Sequence, residues 1–275
     1  MNLHPIFLFT LGLIVIPEIS STRHISPGRL QGENEGTSIS LGIYDGKETT
    51  IQQHPYLVSV IIQDYFWCAA TIVSRSWVVS TADNVFYQDP KDMQINAGSD
   101  DGFTGTFYTV AQVVVHPKYN HNYDYDYACV QISEKFQWSN AVKPIKLPKR
   151  RPRLNTKMVV AGWGNTGEDE EDKPNSTLRQ GTMRWISQKS CKAAYSSSSL
   201  SWTDRMACAY NKGKTTLCDG DWGDAFVNKG VFYGQFIYVD SKGSCSSSAL
   251  PVVLADIIPV ASWVRQLTGA AFESD

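Results

Sequence analysis

The sequence has almost no net charge, because its 25 basic residues nearly balance its 27 acidic ones. It therefore lacks the strongly basic surface that nucleic acids and anionic membranes attract, and we expect no nucleic-acid partner. Long helical periodicity is also missing until the C-terminal end, which disfavours a helical fold. Hydrophobic residues still make up 42% of the 275-residue chain, a share that predicts a folded globular protein rather than a disordered one.

Long apolar runs are missing as well. Residues 5–16 (PIFLFTLGLIVI) are apolar but too short to cross a bilayer comfortably, and no later run is long enough. The short run suits the core of a secretory signal peptide, although the preceding MNLHP has no Lys or Arg. We interpret residues 1–21 as a signal peptide, with a membrane anchor as the alternative, and the polar residues 22–42 as a pro-segment or N-terminal tail. The prediction is a secreted, extracellular protein without a membrane span in the mature chain.

Short apolar runs rich in Val, Ile, Tyr and Phe follow from Ile43 onward. They predict β-strands at residues 57–62, 77–80, 108–115, 128–132, 158–161 and 230–239. Apolar residues return at helical spacing only near the C-terminus, at Ile257, Val260, Val264 and Leu267. Asp256 is the expected N-cap of this helix. Many short strands and one C-terminal helix predict an all-β sandwich or barrel.

Two charged runs and a sequon lie in polar segments. Residues 149–153 (KRRPR) are basic and residues 168–172 (EDEED) are acidic, and runs this short are usually solvated loops. No aromatic platform accompanies the basic run, so it is not a nucleic-acid signature. Asn175 begins the sequon Asn-Ser-Thr and is a candidate glycosylation site in a secreted protein.

Six segments carry motifs in a fixed order: 43–46 (IYDG), 77–84 (WVVSTADN), 126–129 (DYAC), 161–164 (AGWG), 218–225 (CDGDWGDA) and 261–264 (ASWV). With this order and spacing, the chain from Ile43 onward resembles the chymotrypsin/trypsin-like serine proteases, whose motifs include I-V-G-G, W-V-L-T-A-A-H-C and C-x-G-D-S-G-G-P. The resemblance implies one domain over residues 43–275. That domain has two six-stranded antiparallel β-barrels and a C-terminal α-helix, with the former active site in the cleft between the barrels.

Acyl transfer in this family needs a hydroxyl nucleophile, an imidazole base and a carboxylate that orients the imidazole. The resemblance implies that Asp126 keeps the carboxylate, whereas Asp83 takes the imidazole position and Trp222 the nucleophile position. A carboxylate is too weak a base for a serine hydroxyl, and Asp83 beside Asp126 adds like-charge repulsion. An indole has one N–H donor and no nucleophile.

No nearby side chain offers a replacement, because residues 220–224 contain no Ser, Thr or Cys and the five histidines lie elsewhere in the family register. Loss of one triad member can cost about a millionfold in turnover, and two members are missing here. We therefore predict a pseudoprotease without peptidase activity. The alternative is an active serine endopeptidase with a rearranged site.

The substrate-binding positions also differ from the family pattern. Gly220 keeps the backbone position of the oxyanion hole, but Asp224 replaces a neighbouring family glycine. Thr216 takes the base of the specificity pocket, where a trypsin-like preference for Lys or Arg needs a carboxylate. Val239 and Val252 take wall positions that are glycine in open pockets. We expect this pocket to be blocked.

Activation in this family frees an N-terminal amine that pairs with the Asp before the nucleophile, and Ile43 and Asp221 keep these two positions. Gly42 precedes Ile43, however, so a trypsin-like activator has no Lys or Arg to cut after. We expect Asp221 instead to be a buried carboxylate held by backbone N–H donors.

The six cysteines of a secreted chain are disulfide candidates. The resemblance implies two bonds, Cys191–Cys208 and Cys218–Cys245. Cys68 has lost its family partner, whose position holds Asn84, and Cys129 has none. These two are either buried thiols or pair with each other or with another chain.

A retained scaffold with an erased active centre predicts a non-catalytic binding protein. It would be an adaptor, cofactor or decoy for an extracellular protease, inhibitor or receptor, in proteolytic, immune or reproductive processes. A third hypothesis is a carrier that uses the former cleft for a ligand, with Trp222 as a stacking surface. We expect no metal and no cofactor.

Overall fold

The computed structural model describes residues 43, 45–164, 177–217, 220–240 and 250–274. The predicted signal peptide and pro-segment, the sequon at Asn175, and both Cys218 and Cys245 lie outside these residues. Among the residues that are described, no helix is long and apolar enough to cross a bilayer.

The first half of the described chain forms a closed antiparallel β-barrel. After a short strand β1 (Lys47–Glu48), its strands are β2 (Leu57–Ile62), β3 (Tyr65–Ile72), β4 (Trp77–Ser80), β5 (Met93–Ala97), β6 (Thr106–Val115) and β7 (Ala128–Ile132). Their order is β2-β3-β4-β7-β6-β5, and β5 pairs with β2 to close the ring. Alternate residues point inward, so Val58, Val60 and Ile62 of β2 all lie in the barrel core.

The second half forms another barrel. Its strands are β8 (Lys157–Gly162), β9 (Arg179–Trp185), β10 (Met206–Tyr210), β11 (Ala225–Asn228), β12 (Val231–Tyr238) and β13 (Val252–Asp256). Their order is β9-β10-β13-β12-β11-β8, and pairing of β8 with β9 closes the ring, while β1 pairs with the first two residues of β9. The predicted architecture of two six-stranded antiparallel barrels is confirmed.

Each barrel has its own apolar core, and a third apolar cluster contains side chains from both barrels. It joins Leu57 and Val79 of the first barrel to Val253 and Ala255 of the second. Strand β2 is therefore buried on both faces, because Leu57 contacts this cluster while Val58 faces the barrel interior. Burial on both faces explains why apolar residues do not simply alternate with polar ones along β2, whose only polar residue is Ser59.

Three α-helices accompany the barrels in the part of the chain that the structure describes: α1 (Ala82–Val85), α2 (Gln188–Ala194) and α3 (Ala261–Thr268). The C-terminal helix was predicted correctly, but its predicted start after Asp256 is wrong. A 3-10 turn over Ile258–Val260, which contains Pro259, comes first, and Asp256 Oδ1 accepts from the Ile258 N–H at 3.0 Å. Asp256 thus caps the turn and not α3. The helix ends at Gly269, whose φ of 71° is the left-handed conformation that glycine adopts at low cost.

A disulfide joins Cys191 of α2 to Cys208 of β10, with a Cα–Cα distance of 6.0 Å. We expect the Cys191→Ala/Cys208→Ala double variant to lose about 2–3 kcal/mol of unfolding free energy, because the bond restricts the unfolded chain. Guanidinium denaturation measures this loss. Cys129→Ala is the control, since it removes a buried sulfur but no cross-link and should cost about 1 kcal/mol. Equal losses in the two variants would contradict the expectation.

Candidate functional site

The three residues at the positions of the catalytic triad lie where the two barrels meet. Strand β4 pairs with β7, and this brings Asp83, just after β4, next to Asp126, just before β7. The Asp83 N–H donates to Asp126 Oδ1 at 2.8 Å. Trp222 precedes β11, and its carbonyl accepts from the N–H of Ala69 in β3 at 2.8 Å. The Gln235 side chain of β12 donates to the Asp126 carbonyl at 3.0 Å and links the barrels a second time.

Asp83 is an exposed carboxylate at this junction. Tyr119 Oη donates to its Oδ1 at 2.6 Å, which orients the side chain. Asp83 therefore offers a fixed acceptor to groups that approach from solvent.

Asp126 is 1% exposed, and its Oδ2 has no hydrogen-bond partner in the described part of the chain. Burial away from water raises the pKa of Asp126 to about 7, and the charge of Asp83 adds to the rise. The repulsion between the two carboxylates thus acts in the direction expected from the sequence.

The Trp222 indole packs against the cores of both barrels. Its ring is nearly parallel to that of Phe236, with centroids 5.0 Å apart and an interplanar angle of 9°. Phe236 is fully buried, and Trp222 is half-buried. The side chain at the predicted nucleophile position is thus a packing element between the barrels.

Apolar side chains surround the positions assigned to the specificity pocket. Thr216 and Val252 are 2% and 1% exposed, and Val252 shares a core cluster with Leu217 and Phe236. Val239 is half-buried and packs against the same cluster. The sequence analysis missed Leu217 and Phe236. The available signal was that each lies within three residues of a predicted pocket residue.

Two buried carboxyl groups lie on either side of Trp222 in the chain. Asp221 and Asp224 are both 0% exposed. Gly164 N–H donates to Asp221 Oδ1 at 3.1 Å. The oxygens of Asp224 lie over Gly162, where a Cβ would overlap them, and have no donor among the described residues.

The neighbour of Asp224 is the Asp221 carboxyl group, which is itself an acceptor unless one of the two holds a proton. Burial, followed by the charge of Asp221, raises the pKa of Asp224 well above its usual value. The protonated form of Asp224 is thereby favoured in the folded chain. The sequence analysis identified Asp224 only as a replaced glycine, because burial cannot be deduced from one position.

The remaining backbone positions keep features of the family pattern. Gly220 has a φ of 90°, a conformation that glycine adopts without the steric cost of a side chain. Ile43 is 2% exposed and lies in the core of the second barrel together with Leu217 and Val252. That Asp221 is a buried carboxylate held by backbone N–H donors, and not the partner of an Ile43 amine, stays the prediction.

Cys68 and Cys129 are both free and buried. They belong to different apolar clusters, so they do not bond to each other. Burial raises the pKa of the Cys68 thiol to about 12, which keeps it protonated and unreactive. Of the alternatives left open by the sequence, the structure selects buried thiols.

Two of the described histidines, His54 and His116, are held by contacts that do not include Trp222. His54 is buried, and burial lowers its pKa to about 4, so it is neutral. Its ring nitrogens lie 3.1–3.2 Å from side-chain oxygens of Thr49, Tyr56 and Gln180. His116 is buried and stacks on Tyr125. Within the described ranges, no group of three or more His, Cys, Asp or Glu side chains could hold a metal ion.

The sequence comparisons decide the family. The trypsin family profile matches residues 43–264, most of the chain. This chain belongs to the trypsin family. Trypsin 5G1 of Aedes aegypti is 32% identical to it over 237 residues, which cover 82% of this chain and 85% of that relative.

Solved structures share the fold of this trypsin-family chain. The scabies mite inactivated protease paralogue S-D1 superposes with a TM-score of 0.72 at 23% identity, covering 82% of this chain and 97% of that one. Mouse neuropsin, a serine protease expressed in the limbic system, gives a TM-score of 0.70 at 23% identity, covering 81% and 98%. One of these two proteins is an inactivated protease paralogue and the other is a serine protease, so the shared fold does not distinguish active from inactive members. That distinction depends on the residues at the site.

Proposed function

We propose that this trypsin-family chain is a secreted, catalytically inactive homologue that acts as a non-catalytic binding partner, cofactor or decoy for an extracellular protease, inhibitor or receptor. The observation that carries the proposal is the stacking of Trp222 on Phe236 at the nucleophile position. An indole there supplies no oxygen or sulfur nucleophile, and its ring takes up space between the barrels.

The proton-transfer chemistry supports the same conclusion. The proton on a serine hydroxyl is removed by an imidazole whose other nitrogen is fixed by a carboxylate. Here Asp126 has no imidazole to fix, because its neighbour Asp83 is itself a carboxylate, and burial raises the pKa of Asp126 to about 7. Asp83 itself is held by Tyr119. The three described residues at the predicted triad positions therefore supply neither an imidazole base nor a hydroxyl or thiol for a base to act on.

The surroundings of the specificity pocket give further support. Open pockets of the family take a substrate side chain between small wall residues. In this chain Leu217, Phe236 and Val252 are fully buried neighbours in one core cluster, and Trp222 and Val239 pack against it. A side chain of a substrate would have to displace this packing, at a cost of several kcal/mol.

The intact fold supports a binding role for the protein and argues against a chain that has lost all function. Both barrels, the Cys191–Cys208 bond and the links across the barrel junction are intact. The scabies mite neighbour, which is titled an inactivated paralogue, keeps the same fold. Secretion is supported by the apolar run at residues 5–16.

The test is made on the purified secreted chain. We expect no hydrolysis of peptide substrates with Lys, Phe or Ala before the scissile bond, and no labelling by a fluorescent aryl phosphonate that reacts with active serine proteases. Active trypsin is the positive control, and heat-denatured chain is the negative control. Labelling of the native chain that heating abolishes would refute inactivity. Affinity capture from the native fluid then tests the binding role, and failure to find a specific partner would count against it without restoring catalysis.

A further inference from the structure

Four aromatic rings form a cluster on the surface beside Asp83. This aromatic rim consists of Phe86, Tyr87, Tyr119 and His121. Phe86 and Tyr87 follow helix α1, and Tyr119 and His121 belong to the segment between β6 and β7. Ring centroids lie 4.6 Å apart for Phe86 and Tyr87, 4.8 Å for Phe86 and His121, and 4.7 Å for Tyr119 and His121.

The aromatic rim is open to solvent. Tyr87 is 78% exposed and Phe86 is 42% exposed, which places them among the large hydrophobic side chains that the fold leaves uncovered. Tyr87 and His121 stack at 20°, so the pair presents a broad ring face. A contiguous exposed apolar patch next to a fixed polar group marks an interaction site more often than chance exposure does.

The charges around the rim favour a cation. The rim is joined to a carboxylate, because Tyr119 donates to Asp83 at 2.6 Å, and the face of each aromatic ring is itself electronegative. Two lysines close to the rim in the chain have other contacts: Lys91 pairs with Asp89 at 2.8 Å, and the Lys118 ammonium lies 5.5 Å from the Tyr125 ring centroid.

We propose that the aromatic rim and Asp83 together bind a cationic side chain, an arginine or lysine, presented by a partner protein. The inference rests on the proposed function as a binding protein and names the chemistry of the partner. A guanidinium group can stack on the ring face of Tyr87 and His121 while its N–H groups reach the Asp83 carboxylate. An ammonium group can make the same charge contact with less ring overlap, so arginine should bind more tightly than lysine.

The proposed cation site lies beside the predicted imidazole position, because Asp83 replaces the imidazole there. The residue that would be the imidazole base is a carboxylate in this chain, and Tyr119 orients it toward the rim and not toward a nucleophile. The substitution thus creates the anionic half of the site. The rings of the two loops supply the other half.

The test uses three small probes in solution: N-acetyl-arginine amide, N-acetyl-lysine amide and the neutral isostere N-acetyl-citrulline amide. The readout is the NMR shift of the Tyr87 and His121 ring signals of the full secreted chain. We expect saturable shifts with the arginine probe, weaker ones with lysine and none with citrulline. Asp83→Asn should weaken arginine binding about three- to fivefold, and Tyr87→Ala about two- to fivefold.

Matched controls come from the hairpin of β2 and β3, where Asp64 lies in the turn and the exposed Tyr65 begins β3. Asp64→Asn and Tyr65→Ala change the same chemical groups outside the rim and should leave arginine binding unchanged. Equal shifts with arginine and citrulline, stronger shifts with a neutral sugar such as methyl glucoside, or full binding by Asp83→Asn would each overturn the cation site. Those results would leave the proposed lack of catalysis untouched, whereas peptide hydrolysis would refute that proposal and not the cation site.

Discussion

Replacing Trp222 by serine is expected to lower the unfolding free energy by about 4 kcal/mol and to produce no peptidase activity. The ring contacts both barrel cores and stacks on buried Phe236, so its removal leaves a cavity at the barrel junction. The new hydroxyl has no imidazole beside it, because Asp83 takes that position. Guanidinium denaturation and peptide hydrolysis measure the two effects.

Trp138→Ser is the matched control for this loss. Trp138 is 36% exposed and lies at the outside of one barrel. It also stacks on a buried phenylalanine, Phe136, but the two ring centroids are 6.2 Å apart. It should cost about 1 kcal/mol. If Trp222→Ser cost no more than Trp138→Ser, the indole would not be a packing element between the barrels, and the central support for the proposed function would be lost.

Between pH 4 and pH 8, the unfolding free energy of Asp126→Asn is expected to rise by about 4 kcal/mol relative to that of the parent chain. The pKa of Asp126 is raised from 3.8 to about 7 in the folded chain, so its protonated form favours folding. That contribution is complete below pH 3.8 and is lost as the pH rises toward 7, whereas the amide of the Asp126→Asn variant does not titrate. Urea denaturation at several pH values measures the difference.

Asp124→Asn is the control with the opposite sign. The pKa of Asp124 is lowered by hydrogen bonds from Arg205, at 2.7 and 2.8 Å, and from Thr203. Its ionised form therefore favours folding, and Asp124→Asn should be less stable than the parent above pH 3.8, with the difference vanishing as the pH falls. A comparison of variants is needed because His54, whose pKa is lowered to about 4, changes the whole-chain stability in the same pH range. Parallel curves for Asp126→Asn and the parent would contradict the raised pKa.

Strand positions were predictable from apolar runs only in part. The predicted bounds of β2, β4 and β7 agree with the structure residue for residue, but β3, β5, β10, β11 and β13 were missed, although β13 begins with an apolar run. Strand β9 (Arg179–Trp185) was also missed, although Gly181, Met183 and Trp185 alternate inward. Glycine and methionine have low strand propensity, and the alternation is visible only when the inward face is known. The start of α3 was misplaced for a related reason, since Asp256 can cap a 3-10 turn as well as a helix.

The chemistry at the predicted triad positions follows from the amino-acid sequence alone, because the identity of Asp83 and Trp222 limits which protons and electron pairs are available. What surrounds these two side chains depends on the fold. The stacking of Phe236 on Trp222 depends on the pairing of β11 with β12, and the contact of Phe86 with His121 in the aromatic rim depends on the closure of the first barrel. No local pattern of residues encodes these contacts.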